Sequence, residues 1–207
     1  MDAVSFGLGI KSQKTRNSSL IKLVEGKKSF NKNIKVIENN TGMPLFNSTG
    51  FVKPDNIILI KNGKHCESLV SPRSAKEYGV TQNGADSLET PESLELDSGE
   101  ISPESILKTL DNGIYINNLH YLNYSDMSNC SVTGMSRFAC FEVKNGRVTT
   151  PINVMRFDVS MYDILGKNLV GSTSQRERIF STNTYRYRHM ENTFVPGIVA
   201  DNFKFTL

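Results

Sequence analysis

An α+β fold, β-rich and built from antiparallel hairpins with three or four short helices, is what this sequence predicts, and three observations carry the prediction. Asn62-Gly63 and Asn145-Gly146 each sit between runs rich in β-branched and aromatic residues. Asn-Gly supplies the two positive φ angles of a type I′ turn, so each dipeptide marks a two-residue hairpin. A turn of that length joins only antiparallel neighbours. The helical signals, in contrast, are short and sharply bounded, as at Ser71-Pro72 to Gly79.

Taken in order, residues 1–30 are polar and basic, with a weak helical signal at Leu20, Ile21, Leu23 and Val24. They read as a weakly ordered segment ahead of one domain over 31–207. Asn33 to Glu38 reads as a short strand, broken by Thr41-Gly42-Met43-Pro44, and Leu45 to Val52 is turn-rich. Asn56–Ile60 and His65–Val70 flank the first Asn-Gly turn. Ser71 is placed to cap a helix with Pro72 at its first position, and Gly79 to end it in a left-handed conformation. Val80 to Gly99 is acidic and aperiodic and reads as a long loop. Ser102-Pro103 opens a helix over 103–110, closed by Asp111-Asn112-Gly113.

Strands are then expected at 114–119, at 135–143 and, past the second Asn-Gly turn, at 147–154. The two hairpins share Lys-Asn-Gly and a following basic residue, a coincidence that turn chemistry explains without an internal duplication. Asp158 to Leu169 carries Met161, Ile164, Leu165 and Leu169 at helical spacing, with Asp158 and Ser160 as candidate N-caps.

A chain of 207 residues, 38% hydrophobic and 22% charged, has the composition of an ordinary globular protein. A net charge of +3 does not demand nucleic acid or an anionic membrane as partner. No apolar run approaches the roughly 20 residues that span a bilayer. Met1-Asp2-Ala3-Val4 does not begin a basic and then apolar leader, so secretion is not expected. Cys66, Cys130 and Cys140 are odd in number and widely spaced, which fits a reducing compartment, and a cytoplasmic location is expected. Cys140 reads as a small core residue. The Asn-x-Ser/Thr sequences at Asn17, Asn47, Asn123 and Asn129 are read as unglycosylated on the same ground.

The order of these pieces resembles the C-terminal domain of the TldD/PmbA family, metallopeptidases also labelled modulators of DNA gyrase. The resemblance is carried best by the order of the second hairpin, Pro151-Ile152-Asn153-Val154-Met155-Arg156-Phe157-Asp158 and the short helix after it. Asn56 to Lys64, Ser71 to Gly79, Asn112 to Leu119, Val195-Pro196-Gly197 and Phe203 to Leu207 extend it over most of the chain. Asn47 and Thr49 depart from it, standing where acidic residues are common. It implies that 80–99, with its Asn83-Gly84-Ala85 core, is a functional surface loop rather than a linker.

Active members of the family bind zinc through a helix bearing His-Glu-x-x-x-His and a cysteine near the C-terminus. This chain has neither. His65, His120 and His189 lie far apart, and no cysteine precedes Pro196 in Met190 to Val195. His65, Cys66 and Glu67 cannot close on one ion from a strand, where alternate side chains point to opposite faces. Ser131 and Ser136 lie on no Gly-x-Ser-x-Gly elbow, and Asp158 is read as a cap, not an acid. No catalytic, cofactor-binding or metal-binding residue is therefore assigned.

By resemblance, the expected role is a non-catalytic subunit or fragment of a peptide-processing dimer, partnered by a TldD/PmbA-type subunit and handling extended peptides. The alternatives are an active zinc peptidase component whose ligands come from another chain, and a nucleic-acid module using Gln175 to His189. In that stretch Tyr185 and Tyr187 would alternate with Arg186 and Arg188 on a strand.

Overall fold

The computed structural model describes residues 7–206 apart from 183, 186 and 187. Its order is α1 (Ile10–Lys14), α2 (Ile21–Val24), β1 (Val36–Asn39), β2 (Asn56–Lys61), β3 (Lys64–His65), α3 (Pro72–Tyr78) and β4 (Ser93–Leu96). A 3₁₀ turn at Pro103–Ser105 leads into α4 (Ile106–Leu110), β5 (Gly113–Asp126), β6 (Ser131–Lys144), β7 (Arg147–Pro151) and β8 (Arg156–Ser160). A π turn at Asp163–Lys167 precedes β9 (Leu169–Phe180), β10 (Asn192–Ala200) and β11 (Phe205–Thr206). Six strands pair in the order β3-β2-β1-β4-β10-β9. The other five form a sheet ordered β11-β8-β6-β5, with β7 also on β6. All pairings recorded between these strands are antiparallel except β4 with β10, which is parallel.

The described residues up to Asp97, together with Glu177–Val195, form one compact unit. Ser98–Arg176 with the described residues from Pro196 form the other. The stretch 31–207, read above as one domain, thus contributes to two units.

In the first unit both expected local signatures appear. Asn62 and Gly63 take φ of 52° and 70°, and a Cβ on Gly63 would lie 2.3 Å from the Phe30 carbonyl oxygen, so only glycine fits. Ser71 Oγ accepts from the Ser74 N–H at 3.2 Å, and Gly79 closes α3 at φ 67°. Residues 7–30 are held by tertiary pairing. Leu8, Leu20, Leu23 and Phe30 are buried, the Leu69 N–H donates to Leu8, and the Ile10 N–H donates back to Leu69.

The 80–99 stretch is more structured than its composition indicates. Ser93–Leu96 forms β4 between β1 and β10, with all four residues buried. Asn47 donates to the Gly84 and Ala85 carbonyls at 3.2 and 3.1 Å, and Glu89 accepts from the Lys11 and Ser71 N–H groups. The expected functional surface loop is therefore fastened down by buried polar side chains. Asn47, fully used in this way and 6% exposed, has no side chain to offer a glycan.

In the second unit the strands outrun their sequence signals. β5 and β6 are 14 residues each, joined through a turn in which Asp126 caps the Asn129 N–H at 3.1 Å. The strand expected at 114–119 continues through His120, which sits inside β5. The helix expected from Asp158 starts later. Arg156–Ser160 is a strand on β6, with Asp158 opposite Thr133, so Asp158 is not a helix cap. Its carboxylate accepts from Ser125 Oγ at 2.7 Å. The cause is Phe157, 3% exposed and packed on the rings of Phe203 and Phe205, which makes pairing outweigh the local helical pattern. Helical turns follow only from Met161, where Tyr162, Ile164 and Leu165 are buried.

Candidate functional site

The second unit presents one long sheet edge. β5 ends the strand order of its sheet, and over Gly113–Asp126 it contains no Lys, Arg, Glu or Pro. Natural edge strands are commonly blunted by such residues or by bulges, and β5 relies on bulges. Its pairing with β6 shifts register between Ile116 and Asn118, between His120 and Asn123, and again between Tyr124 and Asp126. Tyr121 and Phe138 fall in the first two kinds of irregularity, one on each strand, at φ 58° and 59°. Glycine is the usual residue in that conformation, and a bulky side chain there costs about 1–2 kcal/mol. Both rings project into solvent, each 69% exposed.

These two rings share a polar cluster. The Arg137 guanidinium, an obligate donor, lies 2.9 Å from His120 Nε2 and 4.6 Å from the centre of the Phe138 ring. His120 Nε2 is thereby the acceptor and its proton sits on Nδ1. The Tyr121 ring meets His120 edge-on at 5.1 Å. Opposite the Tyr121 bulge the chain must be thin: a Cβ on Gly134 would lie 2.8 Å from both Leu122 Cδ2 and Phe157 Cζ. At the head of β5 an open groove of about 530 Å³ has Ile114, Val143 and Ile152 among its apolar walls and Glu142 and Lys144 at its rim.

The remaining residues singled out by sequence have structural partners. Ser136 is 1% exposed, and its hydroxyl accepts from the Met155 N–H at 3.0 Å. His65 Nε2 lies 3.0 Å from Ser68 Oγ, and burial lowers its pKa. His189 Nδ1 lies 3.1 Å from Glu191 Oε1. β3 ends at His65, so the strand alternation expected across 65–67 does not extend over the triplet, and Cys66 is exposed. Cys140 is buried, as expected. In the Arg/Tyr stretch, Arg178 reaches Glu95 at 3.4 Å, donates to Asn192 Oδ1 and covers the Phe194 ring at 4.5 Å. Tyr185 and Arg188 belong to no strand, and Arg186 and Tyr187 lie outside the described residues.

Comparison with known proteins gives this geometry its family. A family profile described as the PmbA/TldA metallopeptidase C-terminal domain matches residues 6–207. The chain belongs to the PmbA/TldD family. Solved structures of similar fold include TldE from Thermococcus kodakarensis, 18% identical with a TM-score of 0.77, matched over 100% of this chain and 46% of its own. A protein described as a modulator of DNA gyrase from Thermotoga maritima is 16% identical, with a TM-score of 0.74 over 97% of this chain and 46% of its own. Another from Bacteroides thetaiotaomicron is 14% identical, with a TM-score of 0.68 over 95% and 43%. The PmbA/TldD chain described here spans about half the length of these solved relatives. No curated protein matches it.

A metallopeptidase zinc site needs about three converging N, S or O ligands. Among the described residues of this PmbA/TldD chain no three His, Cys, Asp or Glu side chains come together in that way. The described donor set does not fit the metal that the family description implies. Among the described residues no helix is long and apolar enough to cross a membrane.

Proposed function

We propose that this PmbA/TldD-type chain is a non-catalytic part of a peptide-processing assembly, contributing sheet edge and wall to a dimer with another subunit of the family. The observation that carries this reading is the 14-residue edge of β5, free of Lys, Arg, Glu and Pro. An extended peptide laid along such an edge gains main-chain hydrogen bonds whatever its side chains, which gives sequence-tolerant affinity. The groove at the head of β5 would take the end of such a peptide. Among the described residues Cys66, Cys130 and Cys140 form no disulfide, in keeping with a cytoplasmic setting. On this reading, chemistry on the peptide belongs to the partner.

Hydrogen exchange on the purified chain, with and without an unfolded peptide, tests the proposal. Protection is expected along Gly113–Asp126; unchanged exchange there would overturn it. Stoichiometric zinc together with peptide hydrolysis by this chain alone would overturn the non-catalytic role.

A further inference from the structure

A small polar cavity in the first unit has no role in the reading above. Glu38 on β1 is 4% exposed and Asn40, just beyond it, 9%. Glu38 Oε1 is engaged, accepting from the N–H groups of Glu92 at 2.7 Å and Ser93 at 2.9 Å. Glu38 Oε2 and Asn40 Oδ1 are both sealed from solvent, and neither meets a donor among the described residues. The Asn40 amide nitrogen donates to the Pro54 carbonyl at 2.8 Å, which fixes the side chain with its oxygen as the unmatched atom.

Both residues line one cavity, shared with Lys53, Asp86, Thr90 and Glu92, and it admits the centre of a single water molecule, about 10 Å³. Lys53 is almost fully buried, and its ammonium contacts Glu92 Oε2 at 2.7 Å. An ammonium carries three protons, so two remain for a neighbour in the same space.

We infer that this cavity is a built site for one ordered water, donating to Asn40 Oδ1, accepting from Lys53 Nζ and hydrogen-bonded to Glu38 Oε2. The water accepts from Glu38 when the carboxyl is protonated and donates to it when the carboxyl is ionised. Three polar partners on a site of one-molecule size match the two to four partners of a buried water. A bare cation fits poorly. Only two fully buried oxygens on the cavity walls lack a partner among the described residues, fewer than a hard cation takes, and the Lys53 ammonium on the same wall repels it. The water would join β1, the segment at Lys53 and the 83–92 loop through a single molecule.

A high-resolution crystal structure of the full chain, with a parallel rubidium soak, tests this directly. The expected result is a compact peak within hydrogen-bond distance of Glu38 Oε2, Asn40 Oδ1 and Lys53 Nζ, without anomalous signal from rubidium. Oxygen-17 relaxation should then show one fewer slowly exchanging water in Asn40→Leu than in the parent. Direct contact between Glu38 Oε2 and Asn40 Oδ1, sharing a proton with nothing between them, would overturn the inference. So would a rubidium peak in the cavity, or an unchanged water count in a folded Asn40→Leu.

Discussion

Glu38 grips the backbone of the neighbouring strand through Ser93, whose N–H donates to Glu38 Oε1 at 2.9 Å. The two residues lie on β1 and β4, adjacent strands of one sheet. Burial dominates the electrostatics of this carboxyl and pushes its pKa up to about 7, against the lowering by the Ser93 and Glu92 N–H groups and by Lys53.

A folded-state pKa above the unfolded one means that the native chain holds a proton that the unfolded chain has released. The stabilising contribution of Glu38 is therefore complete below about pH 4.5 and lost as pH rises through about 7. The difference is on the order of 3 kcal/mol. Urea unfolding at pH 5 and pH 8 should show the chain losing stability toward pH 8, and Glu38→Gln should flatten that slope. A Glu38→Gln variant with the parent's pH dependence would refute the assignment.

Relief of backbone strain gives a second expectation. Tyr121 sits at φ 58° with its ring 69% exposed, so Tyr121→Gly loses little burial and removes the left-handed penalty. Stability should rise by up to about 1 kcal/mol, read as a higher melting temperature. A clear loss would show that the Tyr121 ring contributes more to the fold than its exposure indicates.

Across the ribbon the opposite holds. Gly134→Ala places a methyl 2.8 Å from Leu122 Cδ2 and Phe157 Cζ and 3.1 Å from the His120 carbonyl oxygen. The clash should cost about 1–3 kcal/mol. Chemical denaturation should show a shifted midpoint; a neutral outcome would mean the bulge yields freely.

The cap of α3 offers a local test. Ser71→Ala removes the acceptor for the Ser74 N–H and should cost about 1 kcal/mol. Ser71→Asn, which can still cap, should recover part of the loss where its larger side chain is accommodated.

What could be read from the sequence divides along the range of the interactions. The Asn-Gly turns at 62–63 and 145–146 and the Ser71-to-Gly79 helix are set by neighbouring residues, and each stands where its chemistry placed it. Longer-range effects were illegible. β4 is only Ser-Leu-Glu-Leu, made a strand by β1 and β10 on either side. Arg156–Ser160 pairs with β6 despite the helical spacing that follows it. Residues 7–30 hold their places through Leu69 and Ser68 rather than any periodicity of their own. At the site, the lack of Lys, Arg, Glu and Pro over Gly113–Asp126 can be read in the residues, but the edge position of β5 and the left-handed Tyr121 and Phe138 needed the register of two strands. The cavity at Glu38 was equally hidden, because Asn40, Lys53 and Glu92 meet only after folding.

The irregular pairing of β5 has a consequence for how the chain behaves in bulk. A flat, neutral strand of that length would nucleate fibres, each copy templating the next in perfect alignment. Kinks at Tyr121 and across from Phe138 spoil that alignment over long stacks. They leave only short unbroken runs along the edge, so polymerisation is discouraged by the same geometry that bends the ribbon.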